Sequence, residues 1–210
     1  MQNEIIDMLK KSGAVITNSH IVYTSGRHGS IYINKDALYP HTAFSSRVGE
    51  LFAQIYKDTD IDVVAAPALG GIILSQWTAH HLSKIKNKEI LAVYTEKTPD
   101  NDQIFKRGYD SYVKNKNVLV LEDLATTGGS IKKVVNNVMK AGGKVAAACV
   151  MVNRDPENVT SQTINAPFDS LAVIKAESFL EAECPLCEKN IPINTTVGHG
   201  KELTFNAKKS

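Results

Sequence analysis

An acidic pair followed by a short run of hydroxyl and glycine residues is the part of this chain best equipped for chemistry. Glu122 and Asp123 stand side by side, and after Leu124 and Ala125 comes Thr126-Thr127-Gly128-Gly129-Ser130. Carboxylates accept hydrogen bonds from sugar hydroxyls. A turn of small residues exposes its backbone N–H groups. At a helix N-terminus those groups, with the helix dipole behind them, suit a phosphate. Together the two halves would grip a phosphorylated sugar. The Gly-x4-Gly-Lys-Ser/Thr spacing of a P-loop is absent, as is the G-x-G-x-x-G dinucleotide fingerprint.

The flanking residues say what holds this block. Val118 to Leu121 is a four-residue apolar run that reads as a buried parallel strand stopping at the acidic pair. Ile131, Val134, Val135 and Val138 have helical spacing, so the turn opens a helix that ends near Gly142-Gly143. The same rhythm recurs on either side. Ile61 to Ala66 reads as a strand, Leu69-Gly70-Gly71 as a tight turn, Ile72 to Leu82 as a helix and Ile90 to Tyr94 as a strand. Val145 to Val152 and Leu171 to Ile174 supply the last strands. Strand and helix alternating at this spacing predict an α/β fold, a parallel twisted sheet with helices on both faces.

Upstream, Ile5, Ile6, Met8 and Leu9 predict an opening helix, and Val48, Leu51, Phe52 and Ile55 predict another after Pro40-His41. Between them, Ile21-Val22-Tyr23 and Ile31-Tyr32-Ile33 read as two short strands about a polar turn, a cap on the main sheet. His28 lies in that cap, where it could face a ligand. A long polar stretch, Glu96 to Asn117, interrupts the sheet. Its length and its residues Lys97, Lys106, Arg107 and Gly108 suit a mobile cover over a phosphate site.

Bulk properties narrow the class. A chain of 210 residues supports one core, or one core with a small appendage. A formal net charge of +2 without a dense basic run argues against nucleic acid. No apolar run approaches the roughly 20 residues that cross a bilayer. Acids at Glu4 and Asp7 sit where a secretory signal would carry lysines. Three cysteines point to a reducing compartment, and so to a cytoplasmic protein. Cys184-Pro185-Leu186-Cys187 is half of a zinc-ribbon pattern, with His199 downstream. A structural site needs four ligands, and the one other thiol, Cys149, falls in a buried strand. The pair therefore reads as two cysteines packed or exposed in a C-terminal appendage.

The block from Val118 to Ser130 resembles the ribose-phosphate signature of the type I phosphoribosyltransferases, and further segments are similar to the orotate branch of that family. Ser25-Gly26-Arg27 after Thr24, followed by Ile31-Tyr32-Ile33-Asn34, looks like the segment that closes over the base. Ala66 to Gly71 looks like the pyrophosphate loop, and Phe105-Lys106-Arg107-Gly108-Tyr109 like the returning limb of the flexible loop. Arg154, after Val152-Asn153, falls where the family carries an orotate-contacting arginine. The order and spacing agree from about residue 10 to 155.

The resemblance implies transfer of ribose 5-phosphate from phosphoribosyl pyrophosphate (PRPP) to orotate, in pyrimidine biosynthesis, by a homodimer using Mg²⁺. It implies a core over residues 1–175 whose first 40 or so residues form a hood, and an appendage over 176–210 packed near that hood. Glu122 and Asp123 would hold the ribose hydroxyls. Leu124 to Ser130 would bind the 5-phosphate side, and Leu69 and Gly70 would present amides to the pyrophosphate. Lys97, Lys106 and Arg107 would supply loop cations, Lys97 as a catalytic one. Thr24, Tyr32, Ile33, Thr126 and Arg154 would meet the base. Mg²⁺ would be held mainly by the substrate, with Glu122 or Asp123 reaching it at most through water. The chain departs from the pattern at Thr24, where the enteric-type enzymes have a lysine, with Lys35 or Arg27 as substitutes. It departs again at Glu96, Asp100 and Asp102, where they have loop cations. A phosphoribosyltransferase for another base, or a non-catalytic regulator that senses PRPP, are the alternatives.

Overall fold

The computed structural model describes residues 1–200 except Thr24, Ala176 and His199. Helix α1 (Gln2–Lys11) leads into four two-residue strands, β1 (Val15–Ile16), β2 (Ile21–Val22), β3 (His28–Gly29) and β4 (Tyr32–Ile33), and then into α2 (Thr42–Ile55). The alternating part follows: β5 (Val63–Pro67), α3 (Gly70–Lys86), β6 (Leu91–Lys97), β7 (Gln103–Phe105), α4 (Tyr109–Val113), β8 (Asn117–Ala125), α5 (Gly129–Lys140) and β9 (Lys144–Asn153). Helix α6 (Ser161–Ile164), β10 (Phe168–Val173) and α7 (Pro185–Glu188) complete the order.

Six strands form one sheet in the order β10-β9-β8-β5-β6-β7, parallel throughout except for the edge strand β7. Alternate residues of each strand go to opposite faces. Val64, Ala66, Leu119 and Leu121 pack beneath α1, α2 and α3 with Leu9, Phe52 and Leu74. Val63, Ala65, Val118 and Val120 pack beneath α5 with Ile131, Val134, Val135 and Val138. That i, i+3, i+4, i+7 row is the stripe that makes α5 an amphipathic helix. The expected α/β architecture is the observed one.

Three local readings differ. The strand Ile21–Val22 pairs with His28–Gly29, while Tyr32–Ile33 pairs instead with Val15–Ile16. Strand pairing depends on which residue meets which across the fold, and the local pattern does not carry that. The polar stretch from Glu96 is not unstructured: Glu96 and Lys97 end β6, and Gln103–Phe105 folds back antiparallel to it. The strand of the opening block does not stop at the acids but runs on to Ala125, because its pairing with β9 continues to Ala125↔Asn153.

The C-terminal segment runs back along the β2–β3 hairpin. His28 and Phe179 exchange backbone hydrogen bonds of 2.9 and 2.8 Å, and Asn194 N–H donates to His20 O at 2.7 Å. No helix among the described residues is long and apolar enough to cross a membrane.

Candidate active site

Strand β8 overruns its neighbour. It pairs with β5 only as far as Ala65↔Val120, leaving Leu121 to Ala125 open on that side. Chain order reverses at the same point: β5 leads outward to β6 and β7, and β8 leads the other way to β9 and β10. Open α/β sheets bind ligands in the crevice beyond the strand ends at such a switch. Here α3 and α5, which follow β5 and β8 directly, both begin at that edge.

Alternation along β8 sends the two acids to opposite faces. Asp123 continues the row of Leu119 and Leu121, and Glu122 the row of Val118 and Val120. Asp123 is buried at 6 % exposure. Its Oδ2 accepts from Tyr39 Oη at 2.7 Å and lies 2.9 Å from Lys35 Nζ. A buried carboxylate requires such partners. Burial would depress the Lys35 ammonium, but Asp123 and Asp36 together raise it above its ordinary value. Burial and then the Asp123 charge push the Tyr39 phenol far up, so it stays a donor.

Glu122 is half-buried, and burial first, then the Asp123 charge, push its carboxyl up to about 8. The N–H of Ile131, Lys35 and the Ser130 hydroxyl pull the other way. A carboxyl that ionises at about 8 is mostly protonated at neutral pH.

Two clefts share Lys35 and Leu124. The smaller, about 170 Å³, lies between Pro67–Gly71 and Glu122–Leu124. Gly70 is required there, because a Cβ would run into the Asp123 carboxylate and the Tyr39 ring. The Ala68–Leu69 peptide is cis, and Leu69 is 83 % exposed at the cleft mouth. The larger cleft, about 900 Å³, has Tyr32, Ile33, Thr126, Thr127 and Arg154 in its wall, with Tyr23 and Arg27 from the β2–β3 hairpin.

Between the clefts and α5 lies the small-residue turn. Thr126, Thr127, Gly129 and Ser130 are exposed, and Thr127 Oγ1 accepts from Gly129 N–H at 3.4 Å. Gly128 caps α5 with φ of 71°, and a Cβ there would overlap Ile164. Ala125 is buried and anchors the turn, its carbonyl accepting from Arg154 N–H at 2.8 Å. The Arg154 side chain lies over the Tyr23 ring, 5.1 Å from its centroid. Its Nη2 donates to Tyr23 Oη at 3.4 Å, and among the described residues its Nε has no acceptor and no carboxylate pairs with it.

Most of the residues expected at the site come together: Glu122, Asp123, Leu124, Leu69 and Gly70 in or beside the small cleft, and Tyr32, Ile33, Thr126, Thr127 and Arg154 in the large one. The loop cations do not join them. Lys97 is exposed at the end of β6 and lines neither cleft. Lys106 and Arg107 pair with Glu96 at 3.2 and 3.1 Å, because β7 folds the segment back along the sheet edge. Thr24 lies outside the described residues. His28 does not face either cleft but is buried, its Nδ1 3.3 Å from Cys187 Sγ. Tyr39 was not legible as a site residue, and Lys35 only as a substitute for a family lysine. Both contact Asp123 across more than 80 positions of sequence, a separation at which only the fold reveals a pair.

Comparison with known proteins agrees with this geometry. The model of the phosphoribosyl transferase domain matches residues 34–167. Orotate phosphoribosyltransferase of Thermoanaerobacter sp. (strain X514) is 32 % identical over 192 residues, covering 91 % of this chain and 95 % of that protein. The crystal structure of orotate phosphoribosyltransferase from Aeropyrum pernix superposes with a TM-score of 0.65 at 26 % identity, covering 81 % of this chain and 93 % of that one. The Mycobacterium tuberculosis H37Rv orotate phosphoribosyltransferase in complex with PRPP gives 0.62 at 21 % identity, covering 81 % and 96 %. At that identity the likeness speaks for the fold alone. The chain belongs to the phosphoribosyltransferase family, among the orotate phosphoribosyltransferases.

Proposed function

We propose that this chain transfers ribose 5-phosphate from PRPP to a ring nitrogen of orotate, releasing pyrophosphate. One observation carries the reading. A buried, cation-paired carboxylate, an exposed hydroxyl/glycine turn opening a helix, and an arginine with no carboxylate partner among the described residues stand at two clefts that share Lys35 and Leu124 at the sheet's switch point.

In this reaction the C1–O bond breaks, the sugar ring gains positive charge and the departing pyrophosphate gains negative charge. A site must stabilise both, without a covalent nucleophile. On this reading Asp123 accepts from the ribose hydroxyls and offsets the charge of the ring, and Glu122 joins it once its carboxyl is ionised. The N–H groups and hydroxyls of Thr126 to Ser130 donate to the 5-phosphate. The amides of Leu69 and Gly70 donate to the pyrophosphate, with Lys35 as the cation lining that cleft. Arg154 meets the orotate carboxylate through its planar fork, and Tyr32, Ile33 and Thr126 bound the base.

The oxygen donors of the small cleft suit Mg²⁺, a hard cation that keeps substrate oxygens and water as most of its ligands. When bound it neutralises the leaving pyrophosphate. Any contribution from Glu122 requires that its proton leave first.

Lys97, Lys106 and Arg107 line neither cleft of their own subunit, which suits a homodimer in which the β6–β7 hairpin serves the neighbouring site. Mixing Lys97→Ala and Asp123→Asn chains then restores activity. No rescue, with subunit exchange verified, counts against a shared site. Three unpaired cysteines suit a cytoplasmic enzyme.

The activity itself is tested by pyrophosphate release with orotate against a panel of purine and pyrimidine bases. Orotate alone should support turnover. Turnover with another base, or PRPP binding without turnover, overturns the assignment.

A further inference from the structure

Four side chains from opposite ends of the sequence converge at the root of the hood, apart from both clefts. His20 precedes β2, His28 lies in β3, Cys184 precedes α7 and Cys187 lies within it. One ligand atom from each lies within 4.8 Å of every other. His20, His28 and Cys184 are 2–4 % exposed. His20 Nε2 is 2.8 Å from His28 Nδ1, 3.8 Å from Cys184 Sγ and 3.6 Å from Cys187 Sγ, and His28 Nδ1 is 3.3 Å from Cys187 Sγ.

We infer that these four residues form a structural zinc site that clamps the C-terminal segment onto the hood. Two imidazoles and two thiolates make one of the standard closed tetrahedral zinc shells, and soft N₂S₂ donors select zinc over Mg²⁺ or Ca²⁺. Zinc–ligand bonds of that shell imply edges of about 3.3 Å between nitrogens, about 3.6 Å between nitrogen and sulfur and about 3.8 Å between sulfurs. The nitrogen–sulfur distances of 3.3, 3.6 and 3.8 Å bracket their edge, and the nitrogens, at 2.8 Å, need separate by only about half an ångström. Charge is also matched. Each thiol gives up its proton to water on binding, and two thiolates cancel the dication in a buried spot.

The orientation of His20 is a second, independent sign. Its Nδ1 lies 2.7 Å from the Ile191 carbonyl oxygen, which can only accept. The proton is therefore on Nδ1, and Nε2 directs a lone pair at the cluster. A ring nitrogen fixed in this way by a backbone carbonyl is the usual outer support of a zinc-bound histidine. Sequence spacing hides the site, because the histidines lie about 160 positions from the cysteines.

The clamp acts on the base cleft. Tyr23 and Arg27 sit in the hairpin between the two histidines, and Arg27 Nη2 donates to Ser178 O at 2.6 Å on the clamped segment. Fixing both ends of this wall holds Tyr23 and Arg27 in place at the cleft.

Metal analysis of the full chain, purified without added zinc and dialysed, tests this directly. About one zinc per chain is expected, and close to none in a Cys184→Ser/Cys187→Ser variant, while Cys149→Ala keeps the metal. Replacing zinc by Co²⁺ should give the sulfur-to-cobalt absorption and intense visible bands of a tetrahedral thiolate site. Chelation should lower the Tm and raise KM for orotate more than KM for PRPP. If the cysteine variant does not fold, the wild-type zinc count and cobalt spectrum still decide. Reduced wild-type chain that holds no zinc and gives no thiolate spectrum with added Co²⁺ overturns the inference. So does a Cys184–Cys187 disulfide in chain kept free of oxidant.

Discussion

Replacing Glu122 by glutamine should remove a pH dependence from the stability of the unliganded protein. The Glu122 carboxyl ionises at about 8 in the fold, against an ordinary value of 4.5. Between those values the folded chain binds more protons than the unfolded one. Stability from this group is therefore greatest below about pH 4.5 and is lost as pH rises through 8. From pH 5.5 to 8 the loss is about 3 kcal/mol, and about half that once solvent around the partly exposed side chain is allowed for. Urea unfolding at the two pH values, followed by far-UV circular dichroism, measures it. Wild type should lose roughly 1.5 kcal/mol more than Glu122→Gln between them. The rest of the chain titrates alike in both proteins, so the difference isolates this carboxyl. Equal losses in the two proteins would refute the claim that the site holds a proton on Glu122.

Three further outcomes follow from the geometry. Asp123→Asn leaves Lys35 and Tyr39 without their shared anion and should cut kcat by about a hundredfold or more, as expected when charge stabilisation is lost. Near-normal kcat in a folded variant would contradict the sugar-binding assignment. Arg154→Ala removes charge-assisted bonds worth about 1.5–3 kcal/mol each, so kcat/KM for orotate should fall by about 10- to 100-fold with PRPP affinity unchanged; equal loss for both substrates would move Arg154 away from the base. Gly128→Ala forces a side chain onto φ of 71° and against Ile164. It should cost about 1–3 kcal/mol in urea unfolding, and an unchanged midpoint would count against this turn geometry.

The sheet was legible because its strands are unbroken apolar runs such as Val118–Leu121, and α5 because its apolar residues recur at helical spacing. The acidic pair and glycine turn were legible because a phosphate cradle needs contiguous residues. What the sequence hid is non-local. Lys35 and Tyr39 become site residues only when the fold carries them to Asp123. His20 and His28 become metal-ligand candidates only when the C-terminal segment returns to the hairpin. The expectation that Lys106 and Arg107 cover the phosphate site met a local competitor, since Glu96 binds both once β7 pairs with β6. Cys184 and Cys187 read as a pair without further ligand candidates because His20 and His28, which the fold brings to them, lie at the other end of the chain.

A crystal structure of the chain with PRPP and Mg²⁺ tests the central claim most directly. The ribose hydroxyls should lie against Glu122 and Asp123, the 5-phosphate against the N–H groups of 127–130, and the pyrophosphate beside Leu69 and Gly70. A sugar diphosphate bound elsewhere, with these clefts empty, would contradict the account.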